Sequence, residues 1–143
     1  MNGVSERGKG LMLGENKATV QRYVDDVMNG RSRTAVDEMI GSPTVAEHLK
    51  AGMDNIEALF SDVRYELDAI VEEGDTVALF CTLHGQHTGE VDIGPVTVAP
   101  TGRHIVMPYA VRFRMEDARI ASVTSISDFL QVLIQITAEE PPD

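Results

Sequence analysis

The chain has 143 residues and a mass of 15.6 kDa, a size typical of one domain with a sizeable core. Its 23 acidic residues outnumber 12 Lys and Arg, and the net charge of -11 argues against a nucleic-acid partner. With 43% hydrophobic residues the chain is too apolar for disorder, and no apolar run approaches the roughly 18 residues of a membrane span. We therefore expect a soluble globular protein with no membrane partner.

The ends of the chain and its single cysteine predict the domain boundaries, the location and the role of the thiol. Residues 1–14 are rich in glycine and predict a flexible leader, residues 15–137 predict one domain, and residues 138–143 predict a frayed acidic tail. No apolar signal segment follows the first basic residues, so a cytoplasmic location is expected. Cys81 cannot form an internal disulfide, and its apolar neighbours predict a small core residue.

The first half of the chain carries apolar residues at helical spacing, which predicts three helices. Thr34 can act as the N-cap of the second helix. Thr44 and Glu47 have the spacing of a capping box at the start of the third. The predicted helices run from Asn16 to Gly30, from Thr34 to Gly41 and from Pro43 to Phe60.

After Phe60 the apolar period changes from 3.6 to 2 residues, which predicts a sheet. A short C-terminal helix is predicted from Phe129. Helices followed by a run of strands predict an α+β fold, in which a curved, mostly antiparallel sheet wraps around the N-terminal helices as a cone. The predicted strands cover residues 63–71, 76–84, a pair interrupted at Gly94-Pro95, 105–115 and 119–127.

Several short segments are weak signals of a family when taken singly, but their order and spacing together are fairly specific. They are Asn16 to Tyr23, Val71 to Ala78, His87-Thr88-Gly89, Pro100 to Arg103 and Phe113 to Ile120. Together they resemble the SnoaL-like polyketide cyclases, within the superfamily of nuclear transport factor 2 and ketosteroid isomerase, over residues 15 to 137. The resemblance implies the cone-shaped α+β fold, a ligand pocket and no cofactor.

Asp128 is the candidate catalytic residue. Counting by two from Ile120 through Ser122, Thr124 and Ile126 reaches Asp128 on the same face, so an unbulged strand would direct it into the cavity. Desolvation there would raise its pKa toward the range useful for acid/base chemistry. The resemblance implies a carboxylate at this strand end that transfers a proton during an intramolecular aldol closure. Asp128 is also a good N-cap for the last helix.

The predicted pocket side chains share inward positions on the helices and strands. His84 is placed at the pocket mouth, whereas His87, three residues later in the strand, points to the other face, so the two cannot chelate one metal ion. No metal site is expected. The predicted pocket consists of Tyr23, Met53, Phe60, His84, Met107, Tyr109, Phe113 and Ile126.

Two functions follow from these patterns. The first is a small-molecule enzyme that transfers a proton through Asp128 on a mainly apolar, oxygenated, polyketide-like substrate. The second is a noncatalytic ligand-binding or protein-interaction module. It is favoured because the His-Trp pair common in the resembling family is replaced by Val123 and Thr124, and its Asp-His segment by Gly41-Ser42-Pro43.

The outer face of the sheet predicts an assembly. Val106, Pro108 and Ala110 alternate with inward residues and would form an apolar patch larger than monomers normally expose. Arg112 and Arg114 lie on the same face. We expect a homodimer formed through this outer face, which the resemblance also implies.

Overall fold

The computed structural model describes residues 14–139, so most of the predicted leader and residues 140–143 of the predicted tail lie outside it. The elements follow the predicted order of helices, strands and a last helix. No helix in residues 14–139 combines the length and apolarity needed to cross a bilayer. The elements are α1 (Glu15–Tyr23), a π-helical turn (Val24–Asn29), α2 (Arg33–Met39), α3 (Pro43–Leu59), β1 (Phe60–Glu73), β2 (Thr76–His87), β3 (Val91–Ile93), β4 (Val96–Val98), β5 (His104–Glu116), β6 (Arg119–Ser127) and α4 (Phe129–Thr137).

Serine residues begin two of the helices. The Ser32 side chain accepts a hydrogen bond from the Ala35 backbone N–H, and Ser42 accepts one from Val45. Each satisfies a backbone donor that the first helical turn leaves free. The predicted N-cap Thr34 and capping box at Thr44 are therefore wrong by two residues, because Ser competes as well as Thr for the capping position.

The predicted first helix is continuous, whereas the structure changes from α-helical to π-helical winding at Val24. Short π-helical segments are uncommon and occur often at functional sites. Gly30 follows this turn, and a Cβ atom there would lie 2.6 Å from the Asp26 carbonyl oxygen. Glycine is therefore required where the turn ends.

Four antiparallel strands form the main sheet in the order β1-β2-β5-β6, and β3 and β4 form a separate hairpin. The helices pack on its concave face, which confirms the predicted α+β cone. The core between the layers contains fully buried residues from both, including Val20, Val36, Leu79, Ile105, Phe113 and Ile120. Cys81 is buried in this core, as predicted, and burial raises the pKa of its thiol to about 12.

Three register shifts interrupt the alternation along the edge strands. The pairing of β1 with β2 shifts between Ser61 and Arg64 and again between Leu67 and Ala69. The pairing of β5 with β6 shifts so that Met115 faces Ile120 whereas Arg114 faces Ser122. One extra residue in a strand moves every later side chain to the opposite face. The predicted unbulged alternation along β1 and β6 is therefore wrong beyond these points.

Candidate functional site

A cavity of about 260 Å³ opens between the helices and the concave face of the sheet. Its wall is mainly apolar, with hydroxyl groups from α1 and three strands. Ligand sites in proteins commonly combine such a wall with a few polar groups. The lining residues are Tyr23, Val27, Met28, Arg31, His48, Leu49, Gly52, Met53, Asn55, Ile56, Tyr65, Tyr109, Val111, Val123, Ser125 and Ser127.

All three tyrosines of the chain line this cavity. Tyr23 comes from α1, Tyr65 from β1 and Tyr109 from β5. The rings of Tyr65 and Tyr109 lie 5.7 Å apart, and Tyr23 packs edge-on against the buried Phe113 at 5.2 Å. Tyr23 and Tyr65 are 6% and 8% exposed, so protein atoms hold both rings in place.

Burial controls the ionisation of these phenols. It is the largest cause of the raised pKa of Tyr23 and of Tyr65, and the neighbouring tyrosines raise both further. The pKa of Tyr109 is also raised by burial, partly offset by a side-chain hydrogen bond with Ser125. The three hydroxyls therefore remain protonated at neutral pH and can donate hydrogen bonds to a ligand oxygen.

The bulge in β6 determines which side chains of that strand reach the cavity. Val123, Ser125 and Ser127 pair with the inward residues Phe113, Val111 and Tyr109 of β5, and all three line the cavity. Two serine hydroxyls thus lie on the same wall as Tyr109. This part of the wall offers several hydroxyl donors and acceptors to one ligand.

The mouth of the cavity is polar. His48 and Asn55 contribute from the exposed side of α3, and Arg31 contributes from the segment after the π-helical turn. Glu57 binds the Arg31 guanidinium at 2.7 Å, and Glu57 also binds Arg33. The hydrogen bonds from Arg33 and Arg31 lower the pKa of Glu57 to about 2, so the carboxylate stays charged at neutral pH. No Asp or Glu occurs among the described lining residues.

The structure distributes the predicted pocket residues over three environments. Tyr23, Met53 and Tyr109 line the cavity. Phe60, Met107 and Phe113 are fully buried in the core rather than at the cavity wall. These three side chains point inward as predicted, but they pack against other core residues instead of bordering the open cavity.

The remaining predicted residues, Asp128, Ile126 and His84, lie on the outer face. Because of the bulge, Ile126 pairs with the outward residue Ala110 and is 71% exposed. Asp128 follows on the same side, is exposed, and accepts a hydrogen bond from the Gln131 backbone N–H as the N-cap of α4. The predicted inward orientation of Asp128 and Ile126 is therefore wrong.

His84 lies on the outer face of β2, away from the predicted pocket mouth. Its ring nitrogens contact Glu66 at 3.1 Å and His104 at 3.4 Å. His87 is fully buried on the opposite face, which confirms the predicted separation of the two. Within residues 14–139 no three His, Cys, Asp or Glu side chains are grouped as metal ligands.

Sequence reasoning missed several lining residues for identifiable reasons. An unbulged alternation along β6 predicts Ser125 and Ser127 on the outer face, whereas the bulge brings both to the cavity wall. His48 is exposed on α3, and nothing in its local sequence distinguishes a solvated position from one that borders the cavity mouth. Tyr65 lies within the predicted strand 63–71, where its alternation with polar residues does not set it apart from its neighbours. The signal available for it was that every tyrosine of the chain occupies an inward position.

Comparisons with known proteins agree with this architecture. AclR from Streptomyces galilaeus shares 20% identity and a TM-score of 0.74, covering 91% of this chain and 87% of its own. IdmH from Streptomyces antibioticus shares 24% identity and a TM-score of 0.69, covering 84% and 96%. A SnoaL-like polyketide cyclase from Agrobacterium tumefaciens strain C58 shares 19% identity and a TM-score of 0.63, covering 84% and 96%.

At these identities the structural matches establish the fold alone. A search of the curated proteins found no match to the sequence. The family model for SnoaL-like polyketide cyclase matches residues 16–136, which include the helices, the whole sheet and most of α4. The chain therefore belongs to the SnoaL-like polyketide cyclase family.

Proposed function

We propose that this protein is a cyclase- or isomerase-type enzyme that binds a mainly apolar, oxygenated, polyketide-like molecule in the tyrosine-lined cavity. The observation that carries the proposal is the convergence of three protonated tyrosines and two serines on one otherwise apolar cavity. Membership of the SnoaL-like polyketide cyclase family supports the reaction class.

The chemistry available to the cavity is proton transfer next to a carbonyl group. Tyr109, with Ser125 beside it, donates a hydrogen bond to the carbonyl oxygen of the ligand. His48 at the mouth accepts a proton from the adjacent carbon, because the unprotonated ring nitrogen of a neutral imidazole carries a lone pair. The electron pair of that C–H bond moves to the carbonyl oxygen as an enolate, and preorganised donors stabilise the new charge. Isomerisation is completed when the carbonyl re-forms and His48 delivers the proton to a different carbon of the conjugated enolate. When His48 first exchanges its proton with solvent and returns one to the same carbon, the result is hydrogen exchange.

Asp128 has no place in this proposal, because it lies on the outer face as the N-cap of α4. We assign the proton-transfer role predicted for Asp128 to His48 and Tyr109, which line the cavity. This difference gives the proposal a direct test, since the two assignments predict opposite results for the same variants.

The test uses 2-tetralone, a bicyclic ketone whose C1 hydrogens exchange with solvent through the enolate. In deuterium oxide, NMR follows the loss of the C1 proton signal. We expect the wild-type protein to accelerate exchange, and Tyr109→Phe or His48→Gln to slow it about tenfold or more, since one preorganised donor contributes up to about 10²–10³ in rate. Asp128→Asn keeps the wild-type rate. A large loss in Asp128→Asn with none in Tyr109→Phe would overturn the assignment.

A noncatalytic ligand-binding module is the second candidate, favoured by the lack of a carboxylate among the described lining residues. Intrinsic fluorescence separates the two, because the chain contains no Trp and its three tyrosines all line the cavity. A fluorescence change on adding 2-tetralone, with no acceleration of exchange by the wild type, would favour the binding module. If 2-tetralone neither changes the fluorescence nor exchanges faster with the protein present, both the catalytic and the binding proposal would be contradicted for such a ketone.

A further inference from the structure

Gly52 lies in the interior of α3, where glycine is an unfavourable residue. Glycine destabilises a helix relative to alanine because it loses the most conformational freedom on folding. The two usual structural reasons for a glycine do not apply at this position. Its φ lies outside the left-handed region, so any residue can adopt its backbone conformation. Beyond its chain neighbours and the local helix backbone, a Cβ atom there would meet no atom within 4 Å, so packing does not require a glycine.

The position of Gly52 on α3 connects it with the cavity. Residues three and four apart are neighbours on the surface of a helix. The exposed polar residues His48 and Asn55 lie on one side of Gly52, and the half-buried apolar residues Leu49 and Ile56 lie on the other. All five residues line the cavity. Gly52 therefore lies where the apolar wall changes to the polar mouth, and at this point the helix presents no side chain.

The size of the cavity indicates what such a gap can do. The cavity measures about 260 Å³, whereas sites that enclose most of a drug-sized ligand commonly measure about 300–1,000 Å³. Deeper between the layers the fully buried Phe113 packs against Tyr23, so the core is filled there. The part of a ligand that exceeds the cavity must therefore leave through the mouth.

We propose that Gly52 is a specificity-determining residue, whose missing side chain leaves a portal for an elongated ligand. The portal is the gap at Gly52 between His48 and Asn55. The carbonyl end of the ligand lies at Tyr109, and the remaining apolar part passes through the portal to solvent. This inference rests on the proposed function and adds the shape of the ligand and its route. A side chain at position 52 would occupy the portal and discriminate against long ligands.

The first experiment tests, without a ligand, whether the fold itself needs this glycine. Gly52→Ala should raise the melting temperature by about 3 °C, because alanine favours the helix and its methyl group enters open space. Ala51→Gly, the reverse change at the adjacent exposed residue, should lower it by a similar amount. A lower melting temperature in Gly52→Ala would show that the fold requires the glycine and would overturn the proposal.

The second experiment compares two ketones that share one carbonyl end, with binding measured by isothermal titration calorimetry. The short ligand is 2-tetralone, and the long ligand is 6-benzyloxy-2-tetralone, which extends the bicycle at the end opposite the carbonyl. In Gly52→Leu we expect the long ligand to bind about tenfold more weakly and 2-tetralone to change by less than about twofold, since steric fit in apolar sites discriminates on this scale. An unchanged affinity for the long ligand, or an equal loss for both ligands, would overturn the role of Gly52 in selecting length.

Ala51→Leu is the matched control, because it adds the same side chain to an exposed residue of α3 that is not among the described lining residues. It should leave the ratio of the two affinities unchanged. A tenfold loss of the long ligand in Ala51→Leu would assign the effect to any added leucine on this helix and would overturn the proposal. If the wild type binds 2-tetralone but not the long ketone, the portal is overturned while the proposed function stands. If it binds neither ketone, the proposed function is contradicted, and the elongated ligand with it.

Discussion

The two faces of the main sheet differ in how completely this single chain covers them. On the inner face Phe113 is fully buried against Tyr23, and toward the open end the same face becomes the wall of the cavity. On the outer face Phe80 and Ile126 are 49% and 71% exposed. The helices cover the inner face, whereas the outer face keeps an exposed apolar surface, which is typical of a face that another molecule covers.

The largest expected effect is on the free energy of unfolding, which a substitution on the inner face should lower far more than one on the outer face. Phe113→Ala should lower the free energy of unfolding by about 3–5 kcal/mol, because it leaves a cavity in the core. Phe80→Ala should cost less than about 1 kcal/mol at high dilution, because its ring is half exposed. Urea unfolding monitored by circular dichroism measures both. Equal losses in the two variants at high dilution would contradict the contrast.

The second prediction concerns what covers the outer face, where we propose a second copy of this chain. The face places Asp68 and Asp128 around a shallow hollow and Arg112 farther along β5, so a two-fold arrangement can bring opposite charges together. Light scattering should give about twice the chain mass of 15.6 kDa.

Ile126→Glu tests that assembly, because it places a charge on the outer face at an apolar side chain that is 71% exposed, and it should yield a monomer. Ile93→Glu is its control, since Ile93 is an exposed isoleucine of similar chemistry in the separate hairpin. A wild-type monomer, or a dimer that survives Ile126→Glu, would show that the outer face is not the interface.

The inner face should also respond to alkaline pH through its tyrosines. Unfolded tyrosines lose their protons near pH 10, whereas Tyr23, Tyr65 and Tyr109 have raised pKa values when folded. The folded state therefore binds more protons above about pH 10, and the free energy of unfolding should fall as pH rises from there. Absorbance of the phenolate should appear together with loss of circular dichroism. Ionisation of all three tyrosines in the folded protein near pH 10 would contradict their burial.

The smallest expected effect concerns Asp128. Asp128→Ala should lower the free energy of unfolding by about 0.5–1 kcal/mol, the low end for an N-cap, because its bond to Gln131 is long at 3.4 Å. Asp128→Asn should change it little, since Asn caps as well as Asp. Thermal unfolding measures the difference. A stabilised Asp128→Asn variant would indicate an unfavourable charge at this position instead of a cap.

The order and type of the predicted elements and the fold class were correct because they depend on periodicity, which is visible in the chain. The helical stripe of α3 and the alternation of β5 each run without interruption, and the structure confirms both. The candidate site was predicted only in part. Tyr23 lies before the change to π-helical winding and Tyr109 lies on an unbulged strand, so both were placed at the cavity, whereas Ser125 and Ser127 lie beyond a bulge and were missed.

The sequence by itself determined which segments become helices and strands and that they form an α+β domain, since local spacing and charge suffice for that. Only the tertiary structure decided which side chains share the cavity. A bulge of one residue in β6 has little local signature, yet it directs Ser125 inward and Asp128 outward. The hydrogen bonds between Asn29 and the Tyr65 backbone likewise join a π-helical turn to a strand 36 residues away, and packing brings the two segments together.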